Sequence, residues 1–332
     1  MPHVAQRFLA VLFAVSSVLP LCALCVKSIS ADLRVLSASA LSFSPPSPPL
    51  AFAIFWQLSN DRETQGDEMP YETLLVESAE HVTTITLNRP DKRNSITTQM
   101  IADLQSALDA IEKTPARVVV LTGAGAVFCS GMDLALLQAI ATQSPSENQE
   151  DSRRMAKMFR RIWSYSKPLI AAVNGHALAG GCGIATLCDF TIAVPEAKFG
   201  YTEVKIGFLP AIVSVFLTRQ IGDKRARDLL LTGRLVEAPE AKELGLINEI
   251  VPPEKLIPRV RELAEVIIAA SPASVTRAKR LLVTAAAASL DADLERAVLE
   301  NARMRCTPDF KEGLASFLEK RKPVWQGESE KN

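Results

Sequence analysis

Between Met69 and Pro90 the stretch YETLLVESAEHVTTITLNRP alternates apolar and polar positions in two short runs around a polar turn. That period predicts a pair of strands, each with one half-buried face. TTQMIADLQSALDAIEK then spaces its apolar residues as a helix does, and RVVVLTG is a short continuous apolar run closed by glycine, the signature of a buried strand. KPLIAAVNG repeats the strand signature, ALAGGCGIATLC reads as a helix opened by glycines, and DFTIAV reads as another strand. Beyond about Val251 the pattern is helical throughout, in RVRELAEVIIAAS, PASVTRAKRLLVTAAAASL and LDADLERAVLENARM. Strands alternating with helices, followed by helices alone, predict an α/β class.

Upstream of Met69 the texture differs. FLAVLFAVSSVLPLCALCV is an uncharged stretch long enough for a signal-peptide core or a membrane helix. SASALSFSPPSPPLAF and SNDRETQGDE are rich in Ser, Pro and polar residues and read as linker or disorder. The expected organisation is a non-core leader over residues 1–68, a core over 69–255 and a helical region over 256–332.

Composition narrows the partners. The 332 residues are 48% hydrophobic and 22% charged, enough apolar material for one large core. Lys plus Arg and Asp plus Glu both total 37, so no net field draws the chain to nucleic acid or to an anionic membrane. The six cysteines lack zinc-ligand spacing and read as reduced packing thiols; Cys22 and Cys25 lie in the apolar leader without the context of a redox site. His3, His81 and His176 suggest no metal site, and His176, beside a glycine turn, reads as a buried and satisfied histidine.

LNRPDKRNS, AVFCSGMDL, KPLIAAVNGHALAGGCGIATLCDF, AKFGYTEVKIGFLP and LTGRLVEAPEAKELGLINEIVP occur in an order and at intervals that resemble the enoyl-CoA hydratase/isomerase (crotonase) superfamily. The resemblance runs from Met69 to the end. It implies the crotonase (ClpP-like) fold, a spiral of repeated ββα units with a C-terminal helical trimerisation region. It also implies an acyl-CoA thioester as substrate, a homotrimer or hexamer as assembly, and no cofactor.

Enolate chemistry on a thioester needs two N–H donors converging on one oxygen, with a helix N-terminus to favour the developing charge. The resemblance assigns these donors to the backbone of Met132 and Gly180, and the base to Glu203, whose burial in a cleft would raise its pKa. Around the two glycine turns, Cys129, Gly131, Asp133, Gly181 and Gly183 are expected at the substrate. For CoA the candidates are Lys92, Arg93 and Ser95 in DKRNS, and Phe310, Lys320 and Lys322 near the C-terminus. In GFLPAIVSV, Ile212, Val213 and Phe216 are expected to wall the acyl pocket.

One departure affects the reaction: the two-glutamate hydratases carry a second glutamate where this chain has Gly183. A single carboxylate suits an enoyl-CoA Δ3-Δ2 isomerase, whereas TEVKIGFLPAIVSVFL resembles a hydratase branch. The reading favours hydration of a 2-enoyl-CoA, with isomerisation, or non-catalytic binding of acyl-CoA or RNA, as alternatives. Because CoA thioesters are handled inside cells, a cytoplasmic enzyme is expected, with neither nucleic acid nor membrane as partner of the core. The signal-like leader conflicts with that, so residues 1–68 are expected to come from an over-extended start site, or else to anchor the enzyme by one span.

Overall fold

The computed structural model describes residues 71–287 and 289–326; the leader assigned to residues 1–68, with Cys22 and Cys25, lies outside them. The alternating run forms β1 (Leu74–Ala79) and β2 (Val82–Leu87), paired antiparallel with Leu74 opposite Leu87. Along β2, Thr83, Ile85 and Leu87 are buried and their neighbours are half-buried, as a two-residue period requires. β2 then pairs in parallel with β3 (Val118–Gly123), which is followed across the sheet by β5 (Leu169–Val173), β7 (Phe190–Ala193) and β10 (Glu249–Ile250). All five residues of β5 are buried, which is why its sequence is apolar without alternation.

A second sheet is built from short strands: β4 (Val127–Cys129), β6 (His176–Leu178), β8 (Lys198–Gly200) and β9 (Val236–Glu237), in that order. The first three run parallel. Each follows a long strand of the first sheet, β4 after β3, β6 after β5 and β8 after β7. The chain therefore crosses from the large sheet to the small one three times, and each short strand delivers its following turn to the same edge.

Helices cover the sheets. α1 (Thr98–Glu112) is capped by the Thr97 side chain, which accepts from the Met100 N–H, and buries Met100, Leu104, Ala107, Leu108 and Ile111 at helical spacing. A short α2 (Leu134–Ile140) precedes α3 (Pro145–Trp163), which opens with a reciprocal capping box between Ser144 and Glu147. Sequence reading had not assigned α3, because PSENQEDSRRMAKMFRRIW is polar overall and its buried face itself begins with polar Asn148, Asp151 and Ser152 before reaching Met155, Phe159 and Ile162. After α4 (Gly180–Thr186) come α5 (Ala211–Ile221), α6 (Asp223–Thr232) and α7 (Ala238–Leu244). The C-terminal part is helical as expected, with α8 (Leu256–Ala269), α9 (Pro272–Ala286), α10 (Leu290–Met304) and α11 (Pro308–Leu318). Lys279 ties α9 to the sheet, donating to Asp189 at 2.6 Å and to the Lys167 carbonyl at 2.8 Å. Among the described residues no helix is long and apolar enough to cross a membrane.

Candidate active site

The three turns that leave β4, β6 and β8 carry Met132, Gly180 and Glu203, and all three residues line one cavity. The cavity holds about 390 Å³ of empty space, part of it open to solvent. Met155 and Phe159 of α3, with Leu209, Ile212 and Val213, make its apolar wall.

Met132 is held from both sides. The Ile96 N–H donates to the Gly131 carbonyl at 2.8 Å and the Asp133 N–H donates to the Ile96 carbonyl at 2.9 Å, so residues 131 and 133 are pinned to one neighbour. Between them, the Met132 N–H has no acceptor among the described residues. Gly131 adopts φ +90°, where a side chain would be strained, and a Cβ there would lie 2.9 Å from the Ala179 Cβ and 3.7 Å from the Gly180 nitrogen. The two turns thus touch only because residue 131 is glycine.

Gly180 opens α4, so its N–H has no intrahelical partner, and no other backbone acceptor is placed on it among the described residues. The preceding Ala179 sits at φ 50°, ψ −125°, a region a non-glycine residue rarely adopts. Its N–H donates to the Gly200 carbonyl at 2.7 Å, which fixes the strained turn to the end of β8. Two residues whose backbone N–H groups are free of partners therefore line one cavity, an arrangement suited to a carbonyl oxygen that gains negative charge.

Glu203 starts a 3₁₀ turn, Glu203–Ile206, and is only 8% exposed. Its Oε2 is buried without a hydrogen-bond partner. Burial, slightly offset by its own backbone N–H, pushes the carboxyl from 4.5 up to about 7. The turn is held from behind by α11. Gly207, at φ +63°, and Gly313 allow backbone-to-backbone approach: a Cβ on Gly207 would lie 2.2 Å from the Asp309 carbonyl oxygen, and one on Gly313 2.3 Å from the Ile206 carbonyl.

A glutamate in place of Gly183, as the two-glutamate hydratases carry, would have no room. A Cβ on Gly183 would meet Val213 Cγ1 at 2.9 Å and Phe159 Cζ at 3.1 Å, so two apolar side chains of the cavity wall occupy the direction a glutamate would take. Gly183 therefore lies behind the wall. Gly181 packs its backbone on Cys129, whose thiol is fully buried and pushed up to about 12 by that burial, so neither faces the cavity.

Ser95 and Asp133 were expected at the substrate, but they belong to an internal network. The Ser95 hydroxyl donates to Asp133 Oδ2 at 2.9 Å, Arg89 Nη1 donates to the same oxygen at 3.1 Å, and Asp133 Oδ1 accepts the Ala135 N–H at 3.0 Å. Burial tends to raise the Asp133 carboxyl, but these hydrogen bonds and the Arg89 charge hold it below its ordinary value. Phe310 is fully buried, its ring 5.3 Å from that of Phe208, and supports the cavity wall from outside. Ile212 and Val213 line the cavity as expected; Phe216 packs instead on Trp163, 5.6 Å between rings. Lys92, Arg93, Lys320 and Lys322 are exposed. His176 is exposed rather than buried, its Nδ1 accepting the Lys198 N–H at 3.3 Å.

Sequence reading missed two polar cavity residues, Asn301 and Arg305 of the α10 end. Their only signal is a polar i, i+4 pair in LENARMR, indistinguishable there from a solvated face.

The enoyl-CoA hydratase/isomerase family model matches residues 77–328. The chain is 47% identical over 244 residues to a Thermus thermophilus protein described as a candidate enoyl-CoA hydratase, covering 73% of this chain and 96% of that one. It is 37% identical over 261 residues to the crotonyl-CoA hydratase of Syntrophomonas wolfei, covering 76% and 98%. Among solved structures, an enoyl-CoA hydratase/isomerase from Xanthobacter autotrophicus Py2 superposes with a TM-score of 0.71 at 32% identity, covering 76% of this chain and 98% of that one.

Proposed function

The chain belongs to the enoyl-CoA hydratase/isomerase family, and from that premise we propose that it adds water across the C2=C3 bond of a 2-enoyl-CoA thioester. The thioester oxygen accepts from the Met132 and Gly180 N–H groups. Ionised Glu203 takes a proton from water as the water oxygen bonds to C3, and the electron pair of the double bond moves toward the thioester oxygen as an enolate. Glu203 then returns that proton to C2, leaving a 3-hydroxyacyl-CoA. The electron pair stays within the substrate, so the proposed step needs neither metal nor redox cofactor.

One observation carries this reading: the cavity that holds two unpartnered N–H donors also holds a carboxyl raised to about 7, so both its forms are populated near neutral pH. Gly183 favours a second reading, Δ3-Δ2 isomerisation, in which Glu203 alone moves a proton between C4 and C2. Lys92 and Arg93, exposed and without ion pairs among the described residues, suit the phosphates of CoA. We place the reaction in the cytoplasm, where CoA thioesters are handled. Exposed Val266, Leu281 and Leu282 on α8 and α9 support assembly as a homotrimer or hexamer.

The test offers a 2-enoyl-CoA and a 3-enoyl-CoA to the protein and to Glu203→Gln, with products read by mass. Gain of one water, lost in the variant, supports hydration; a mass-neutral shift of the double bond supports isomerisation. Binding without either product would overturn both.

A further inference from the structure

Beyond Glu203, Asn301 and Arg305 are the polar side chains in a wall otherwise made of apolar groups and glycine. Arg305 is 1% exposed, and a guanidinium so deeply buried costs free energy unless its charge and all its N–H groups find partners. Here they do not. Nη1 donates to Asp151 Oδ2 at 2.7 Å and to the Asn148 carbonyl at 3.4 Å, while Nε is buried with no acceptor. Asp151 is itself shared, since its Oδ1 accepts from Arg154 at 3.2 Å. The Arg154 side chain is 43% exposed and solvated, so Asp151 chiefly balances Arg305, and what remains unmet beside the cavity is the Nε–H donor. Asn301 is held in place by both ends of its amide, Nδ2 donating to the Leu209 carbonyl at 2.9 Å and Oδ1 accepting from Ser152 at 2.8 Å. The Phe208 ring, 5.4 Å from the Arg305 Cζ, lies in the same wall, and its N–H donates to the Glu203 carbonyl at 3.0 Å. The unmet donor is thus one residue contact away from the turn that carries the base.

We propose that Arg305 makes the cavity selective for acyl groups that carry a carboxylate at the end remote from the thioester. Such an oxygen supplies the missing acceptor in a charge-assisted hydrogen bond, while an acyl chain ending in methyl leaves the donor unmet. The proposal rests on the acyl-CoA reading above but does not depend on which reaction follows binding.

Two measurements test it. The first compares pent-2-enoyl-CoA with the same five-carbon 2-enoyl-CoA bearing a carboxylate in place of its terminal methyl. The expected ratio of kcat/KM favours the carboxylate by about 10- to 100-fold, the worth of one hydrogen bond to a charged group. In Arg305→Met that ratio falls to within about twofold of one, while Arg305→Lys, which keeps the charge without the planar fork, keeps part of it. A purely structural Arg305 would lower turnover of both substrates by the same factor and leave the ratio unmoved. The second measurement is calorimetric binding of the two esters to Glu203→Gln, which reads the same preference without turnover. Equal affinity there, or a wild-type ratio at or below one, refutes the proposal. Failure of both esters to turn over, with the binding preference intact, would instead refute the hydratase reading alone.

Discussion

Glu203→Gln should alter stability in a way that depends on pH, and the direction follows from burial. The folded chain holds the Glu203 proton up to about pH 7, whereas the unfolded chain releases it near 4.5. Between those values the folded state binds more protons, so the wild-type protein loses stability as pH rises through that window. The full penalty, reached above pH 7, is about 3 kcal/mol at 1.36 kcal/mol per pH unit. Near pH 5 only about 1 kcal/mol of it is present. A neutral glutamine carries none of this penalty. The difference in unfolding free energy between variant and wild type should therefore shift by about 2 kcal/mol in favour of the variant between pH 5 and pH 8. Urea denaturation at fixed protein concentration, with midpoints compared at both pH values, measures it. A difference that does not change with pH would mean that Glu203 ionises freely in the folded protein, and the acid–base role assigned to it would lose its physical basis.

Three other perturbations address the site's supports. Gly183→Glu should not create a second acid: the new Cβ collides with Val213 and Phe159, so the expected result is a loss of about 1–3 kcal/mol in stability, read by thermal unfolding, with no gain in hydration rate. Arg89→Ala frees Asp133 and loosens the segment pinned to Ile96, so kcat should fall about tenfold or more with little change in KM, and Arg89→Lys should recover part of it. Lys92→Ala combined with Arg93→Ala should raise KM for acyl-CoA with kcat nearly unchanged, and the salt dependence of KM should weaken in parallel.

Much of the fold was legible because its period is regular: β1 and β2 alternate, β3 and β5 are continuous apolar runs, and α8 to α10 repeat at helical spacing. The second sheet was not, because three- and two-residue strands such as Val127–Cys129 and Val236–Glu237 are too short to display a period, yet they aim every turn of the site. In the site itself, Met132, Gly180 and Glu203 were found through motif resemblance and do meet in one cavity. Ser95, Asp133, Cys129 and Phe310 share those motifs but serve as braces, a distinction that depends on which way each side chain turns and that spacing does not encode. Arg305 was invisible because its partner, Asp151, lies 154 positions earlier on a helix that sequence reading had not assigned.

The backbone contact of Gly207 and Gly313 bears on how the protein comes into being. The turn that carries Glu203 is complete in sequence long before α11 exists, but its rear support is α11. During synthesis the oxyanion-type donors can be assembled from residues up to about 200, while the turn carrying the base lacks its α11 support until more than a hundred further residues have left the ribosome. A nascent or prematurely ended chain would then present a thioester cavity whose proton carrier is loosely held. Competence to react would arrive as one of the last events of folding, coupled to docking of the C-terminal helix.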